Sequence, residues 1–147
     1  MITKFAQLGK YLPSPIYKLL AQKWIDERFP RHLFIETTAA CQLSCPYCPR
    51  EKKDNHIEWS IFTKIIDEAT LFGPRSFSLH LFGEPFLYPK VMEAISYIQK
   101  KDKRHTTLLT TNGLLLDKFV DRLTDSHVSK VIWSWRPEAK FTQETKE

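Results

Sequence analysis

Outside one short stretch this sequence has no cysteine. Cys41, Cys45 and Cys48 all fall within CQLSCPYC, and no fourth exists in the 147 residues. That is not the spread, paired framework of a small secreted domain. Long apolar runs are missing too. Nothing approaches the roughly 18 to 20 residues of a membrane span, and mean hydropathy is −0.36. The opening MITKFAQLGKYLPSPIYKLL lacks the apolar stretch of about 7 to 15 residues and the small-residue cleavage site of a secretory leader. A cytoplasmic chain with no membrane partner is therefore expected. There is no internal repeat and no low-complexity tract.

What is present suits one ordinary domain. Hydrophobic residues make up 42% of the chain, with ten Phe, enough for a core without staples. Charged residues make up 27% and argue against disorder. The net charge of +5 permits contact with nucleic acid without requiring it. No nucleic-acid motif accompanies the charge, so that partner is not expected. The densest basic run, KKDKR from Lys100 to Arg104, reads as a solvated helix end, where cations complement the helix dipole.

Residues 1–31 read as a helical lead-in and 32–147 as the domain. Ser14 and Pro15 form a helix start, and Ile16, Leu19, Leu20 and Trp24 keep helical spacing before FPRH ends the element. Strands are expected at HLFIETT, SFSLHLF, HTTLLTT and VSKVIWSW. In the second, Phe77, Leu79 and Leu81 share a face and His80 points the other way, reading as a satisfied core histidine. In the fourth, at least one of Trp133 and Trp135 reads as core. The helices between them carry apolar stripes: Phe62, Ile65, Ile66, Ala69 and Phe72; then Val91, Ala94, Ile95 and Ile98, opened by Pro89; then Phe119, Val120 and Leu123, capped by Asp117. PEAKFTQETKE begins like a fourth helix. Long connections between strands predict a parallel sheet. In such folds chemistry gathers at the carboxyl ends of the strands. CQLSCPYC, GEP and TNG follow strands one, two and three respectively.

A structural zinc site wants four protein ligands. His56, in the same loop, is the histidine placed to make a Cys3His set. A ferredoxin-type cluster wants four cysteines. Three thiolates also suit a four-iron cluster that leaves one iron open to a non-protein ligand. A loop wraps such a cube better than a helix does, and Pro46 and Pro49 oppose regular helix here. Tyr47, beside the last thiol, is placed to limit solvent access.

The spacing C-x3-C-x2-C, with Tyr47 before its last cysteine, resembles the radical S-adenosylmethionine (radical SAM) superfamily. Gly83-Glu84-Pro85 resembles that family's GEP motif, Thr111-Asn112-Gly113 its TNG segment, and Ser134 falls near a position that contacts the SAM ribose. The similarity runs from about Leu33 to Phe141. It implies a partial parallel (β/α) barrel. It also implies a [4Fe-4S] cluster on Cys41, Cys45 and Cys48 that chelates S-adenosylmethionine and cleaves it to a 5′-deoxyadenosyl radical. Cofactor contacts would come from Tyr47, Gly83, Glu84, Pro85, Asn112 and Ser134, with Gly83 and Glu84 on the amino group. The implied partners are a hydrogen-donating peptide or small metabolite and a one-electron reductant such as flavodoxin or ferredoxin. The family's barrel has six βα units and four strands are legible here. The chain is therefore expected to encode the cofactor-binding part of such an enzyme, with a second chain as a candidate to complete the barrel.

Overall fold

The computed structural model describes residues 15, 19, 29–51 and 54–135. Apart from Pro15 and Leu19, the helix read over residues 14–24 lies outside them, as does the one beginning at Pro137.

Four strands, β1 (His32–Phe34), β2 (Ser76–Ser78), β3 (Thr106–Thr111) and β4 (Lys130–Trp133), form a parallel sheet in chain order. Helix α1 (Trp59–Thr70) joins the first pair, α2 (Val91–Lys101) the second and α3 (Leu116–Thr124) the third. Parallel neighbours in sequence order require a crossover between each pair, and the helices supply it.

The helical stripes meet the inward residues of the sheet. Phe62, Ile66 and Ala69 of α1 and Ala94 and Ile98 of α2 are fully buried, together with Phe77, Leu79 and Leu109 from the β2 and β3 segments. Burial of each large side chain contributes about 1.5–3 kcal/mol. Phe119 of α3 stacks on Phe86, with ring centroids 4.6 Å apart. Phe72 stacks on Phe29 at 4.2 Å. The basic run ends α2 as expected, where Lys101 pairs with Asp67 and Arg104 with Asp102, both at 2.7 Å. The pairing with Arg104 holds the Asp102 carboxyl down to about 2.

Several elements differ from the sequence reading. Pro89 precedes the cap of α2, which is Lys90. Asp117 lies inside the first turn of α3, where Leu115 holds the cap position without a side-chain bond. Leu81 is 50% exposed although Phe77 and Leu79 are fully buried. The ladder explains this. Leu79 N–H still donates to the Leu108 carbonyl (3.0 Å), but Thr110 N–H turns to the His80 ring Nδ1 (3.0 Å). The Leu79 carbonyl takes the Thr37 hydroxyl instead (3.2 Å). From His80 onward the second segment peels away from β3, and the alternation of faces ends there. Trp133 and Trp135 are both more than half exposed, so neither is core. No helix among the described residues is long and apolar enough to cross a membrane.

Candidate cofactor site

The cysteine loop is pinched at its base. Thr38 and His56 form an isolated antiparallel bridge. Ala39 N–H donates to the Asn55 carbonyl (2.8 Å) and Ile57 N–H to the Thr37 carbonyl (2.9 Å). The Thr38 hydroxyl donates to the Asn55 carbonyl (3.3 Å) and accepts from Ala40 N–H (3.0 Å). With that proton used, the hydroxyl accepts from His56 Nδ1, 2.8 Å away. His56, the candidate fourth zinc ligand, is thus a member of the neck. Above the neck, Cys48 N–H donates to the Cys45 carbonyl (3.1 Å), setting a turn through Pro46 and Tyr47.

The second loop packs directly on the first. A Cβ built on Gly83 would lie 1.9 Å from the Thr38 carbonyl oxygen, so only glycine fits this approach. The next amide, Glu84 N–H, donates to the Ala40 carbonyl at 2.7 Å. The Glu84 side chain is 2% exposed. Its Oε1 accepts from the Thr111 hydroxyl (2.7 Å) and Phe86 N–H (3.3 Å), and its Oε2 from Asn112 N–H (2.8 Å). Burial pushes its carboxyl above the usual value, and these three bonds act the other way. A carboxylate offers about four acceptor positions, so room remains for one more donor. Pro85 begins a buried 3-10 turn, Pro85–Leu87, behind the cavity wall.

The third loop closes the circle. Asn112 Nδ2 donates to Cys41 Sγ (3.7 Å) and to Gln42 Oε1 (3.3 Å), while its Oδ1 accepts from Leu114 N–H (3.0 Å). Ser134 N–H donates to the Thr111 carbonyl (2.8 Å) and Trp133 Nε1 to the Asn112 carbonyl (3.1 Å), which ties the end of β4 to TNG. Gly113 has φ +89°, and a Cβ there would fall 2.4 Å from Trp133 Nε1. Gly113→Ala is expected to lose about 1–2 kcal/mol in chemical denaturation, from backbone strain plus displacement of the indole. Gly73→Ala is the control for strain alone: its φ is +81° and nothing lies within 4 Å of the added Cβ. Equal losses in the two variants would remove the indole contact from the account.

One cavity of about 260 Å³ lies at the carboxyl ends of the strands, lined by Cys41, Cys45, Cys48, Tyr47, Gly83, Glu84, Asn112 and Ser134. Every predicted site residue except Pro85 thus reaches its wall. All three thiols are free and half-buried. Burial pushes the Cys41 thiol above its ordinary value, with Asn112 and Arg50 among the groups pulling it back. A metal would have to displace that proton. Among the described residues no three His, Cys, Asp or Glu side chains close round one point at the spacing of a single ion. Three thiols spread around one cavity leave space for a metal group larger than a single ion. Tyr47 stands at the rim, 54% exposed. His80 and Thr110 also line the cavity. His80 is hydrogen-bonded as expected but sits on the wall, and burial lowers its pKa. Arg50 and Thr111 also line the wall, although neither was expected there as a site residue and Thr111 entered only as the first residue of the TNG segment.

Parallel strands, crossover helices and a cysteine cavity at the carboxyl ends define an α/β barrel segment with a candidate cofactor site. The chain belongs to the radical SAM superfamily, whose family model matches residues 35–132. It is 31% identical over 114 residues to a probable GTP 3′,8-cyclase of Methanococcus maripaludis, covering 73% of this chain and 38% of that protein. A GTP 3′,8-cyclase of Chlorobaculum tepidum is 29% identical over 113 residues, covering 73% and 34%. The chain thus spans about a third of the length of these relatives. Among solved structures, BtrN in complex with AdoMet and 2-DOIA superposes with a TM-score of 0.66 at 20% identity, over 72% of this chain and 46% of that one. That likeness supports the partial-barrel fold.

Proposed function

We propose that this chain is the cofactor-binding portion of a radical SAM enzyme. The observation that carries the reading is the single cavity on which the three cysteines, Gly83, Glu84, Asn112 and Ser134 meet. Cys41, Cys45 and Cys48 would hold a [4Fe-4S] cluster. When bound, the cluster supplies one electron to the sulfonium of S-adenosylmethionine, and the radical so formed abstracts hydrogen from a substrate.

The chain's own residues have narrower tasks. Glu84, with an acceptor position left, would take a hydrogen bond from the amino group of S-adenosylmethionine. Asn112 would steady the Cys41 sulfur, to which its amide already donates. Ser134 and the backbone of the TNG turn would face the ribose. Tyr47 at the rim would limit water at the cluster. An external one-electron reductant is needed. For the substrate, a small metabolite is favoured over a peptide, since several relatives are named for the nucleotide GTP.

Anaerobic reconstitution with iron and sulfide, followed by EPR of the reduced protein with and without S-adenosylmethionine, tests the reading. A [4Fe-4S] signal that changes on adding S-adenosylmethionine is expected. Its loss is expected when any one of the three cysteines is replaced by alanine. Zinc retained in place of iron and sulfide would overturn the proposal.

A further inference from the structure

Three carbonyls of the cysteine loop turn to one side chain. Arg50 Nη1 donates to the Ala39 carbonyl (2.9 Å), and Nη2 to the carbonyls of Cys41 (3.3 Å) and Leu43 (3.4 Å). Nη1 also reaches the carbonyl of neighbouring Glu51 (3.3 Å). Residues 39, 41 and 43 alternate along the chain. The chain bends at Gln42, and the three carbonyls converge on one planar fork. The bonds are charge-assisted and therefore stronger than neutral ones. They also span the loop, since Arg50 follows the last cysteine and the carbonyls flank the first.

We propose that Arg50 is the positioning residue of the cysteine loop, drawing the Ala39, Cys41 and Leu43 carbonyls onto its guanidinium and so setting the Cys41 arm before any metal arrives. Its consequence for loading rests on the cluster reading above. Its consequence for the metal-free loop does not. A lysine keeps the charge but not the fork, because one ammonium cannot hold a planar set of carbonyls in fixed directions. The arrangement therefore separates shape from charge.

The test uses the whole chain as R50K and R50M. Hydrogen exchange of the Ala39, Ala40 and Cys48 amides is followed without metal, and iron and sulfide per chain are measured after anaerobic reconstitution. Both variants are expected to exchange these amides about tenfold faster than the parent chain. Amides in the middle of α2 are expected to be unchanged, showing that the fold is intact. Cluster content should fall in R50K as well as in R50M. Unchanged loop exchange in R50M would overturn the proposal, and so would parent-like behaviour of R50K, which would assign the effect to charge. If the parent chain takes up no iron and sulfide while both variants still lose loop protection, the cluster reading fails and the positioning role stands.

Discussion

Gly83→Ala is expected to destabilise the chain by about 3 kcal/mol and to abolish cluster loading. The backbone conformation is not the reason, since among the described residues the glycines with positive φ are Gly73 and Gly113. The reason is space. The added methyl would meet the Thr38 carbonyl oxygen at 1.9 Å, its carbon at 2.7 Å and the Ala40 carbonyl oxygen at 3.0 Å. All three are backbone atoms, so no rotamer change relieves the contact. Either the neck of the cysteine loop or the GEP turn must move. Moving either one breaks the 2.7 Å bond from Glu84 N–H to the Ala40 carbonyl. Urea denaturation of the metal-free protein reads the loss directly. A loss below about 1 kcal/mol would mean that the two loops slide past each other freely and that their close contact is not structural.

Glu84→Ala is expected to cost a similar amount for a different reason. It would leave the Thr111 hydroxyl and the amides of Phe86 and Asn112 without their acceptor in a buried place. Each stranded group costs about 1–3 kcal/mol, less whatever water recovers. Glu84→Gln is milder. It retains one acceptor oxygen but turns an amide donor toward one of the donors it replaces. The pair also separates shape from titration. Burial raises the native carboxyl pKa above the usual 4.5. Between the unfolded and native values the folded state therefore binds more protons than the unfolded state, and stability falls as pH rises. This contribution is complete below 4.5 and lost as pH passes the native value. Denaturation midpoints of the parent chain should therefore decline with pH through this window more steeply than those of E84Q. Parallel declines would show that Glu84 does not carry the slope.

The order of the βα units was legible because it depends on periodicity and punctuation. Phe62, Ile66 and Ala69 mark a helix face wherever the helix docks, and the loops after three strands announced themselves by residue type. What was not legible depends on partners distant in sequence. The end of β2 is decided by the His80 ring taking an amide of β3. The exposure of Trp133 follows from its bond to the Asn112 carbonyl, although an alternating strand pattern would allow either face. Asp117 is a good cap by composition, but the chain enters α3 through the Asn112-Gly113 turn and passes the cap position at Leu115. The bonds of Arg50 were not legible because its partners are carbonyls, which every residue carries. Glu84 was expected at the site from its place in GEP, while its grip on Thr111 and Asn112 could be seen only once the loops were brought together.

The neck formed by Thr38 and His56 bears on how such a protein would survive the loss of its cofactor. The two ends of the cysteine segment are joined by backbone bonds to each other and to the sheet, and none of those bonds involves a thiol. The entropy of bringing the ends together is therefore settled by the fold. Damage to a cluster, or its removal, would be a local opening above the neck that leaves the sheet below it zipped. If the loop holds a cluster as proposed, emptying and refilling it would leave the fold in place, and repair after oxidation would call for iron and sulfide instead of a new round of folding.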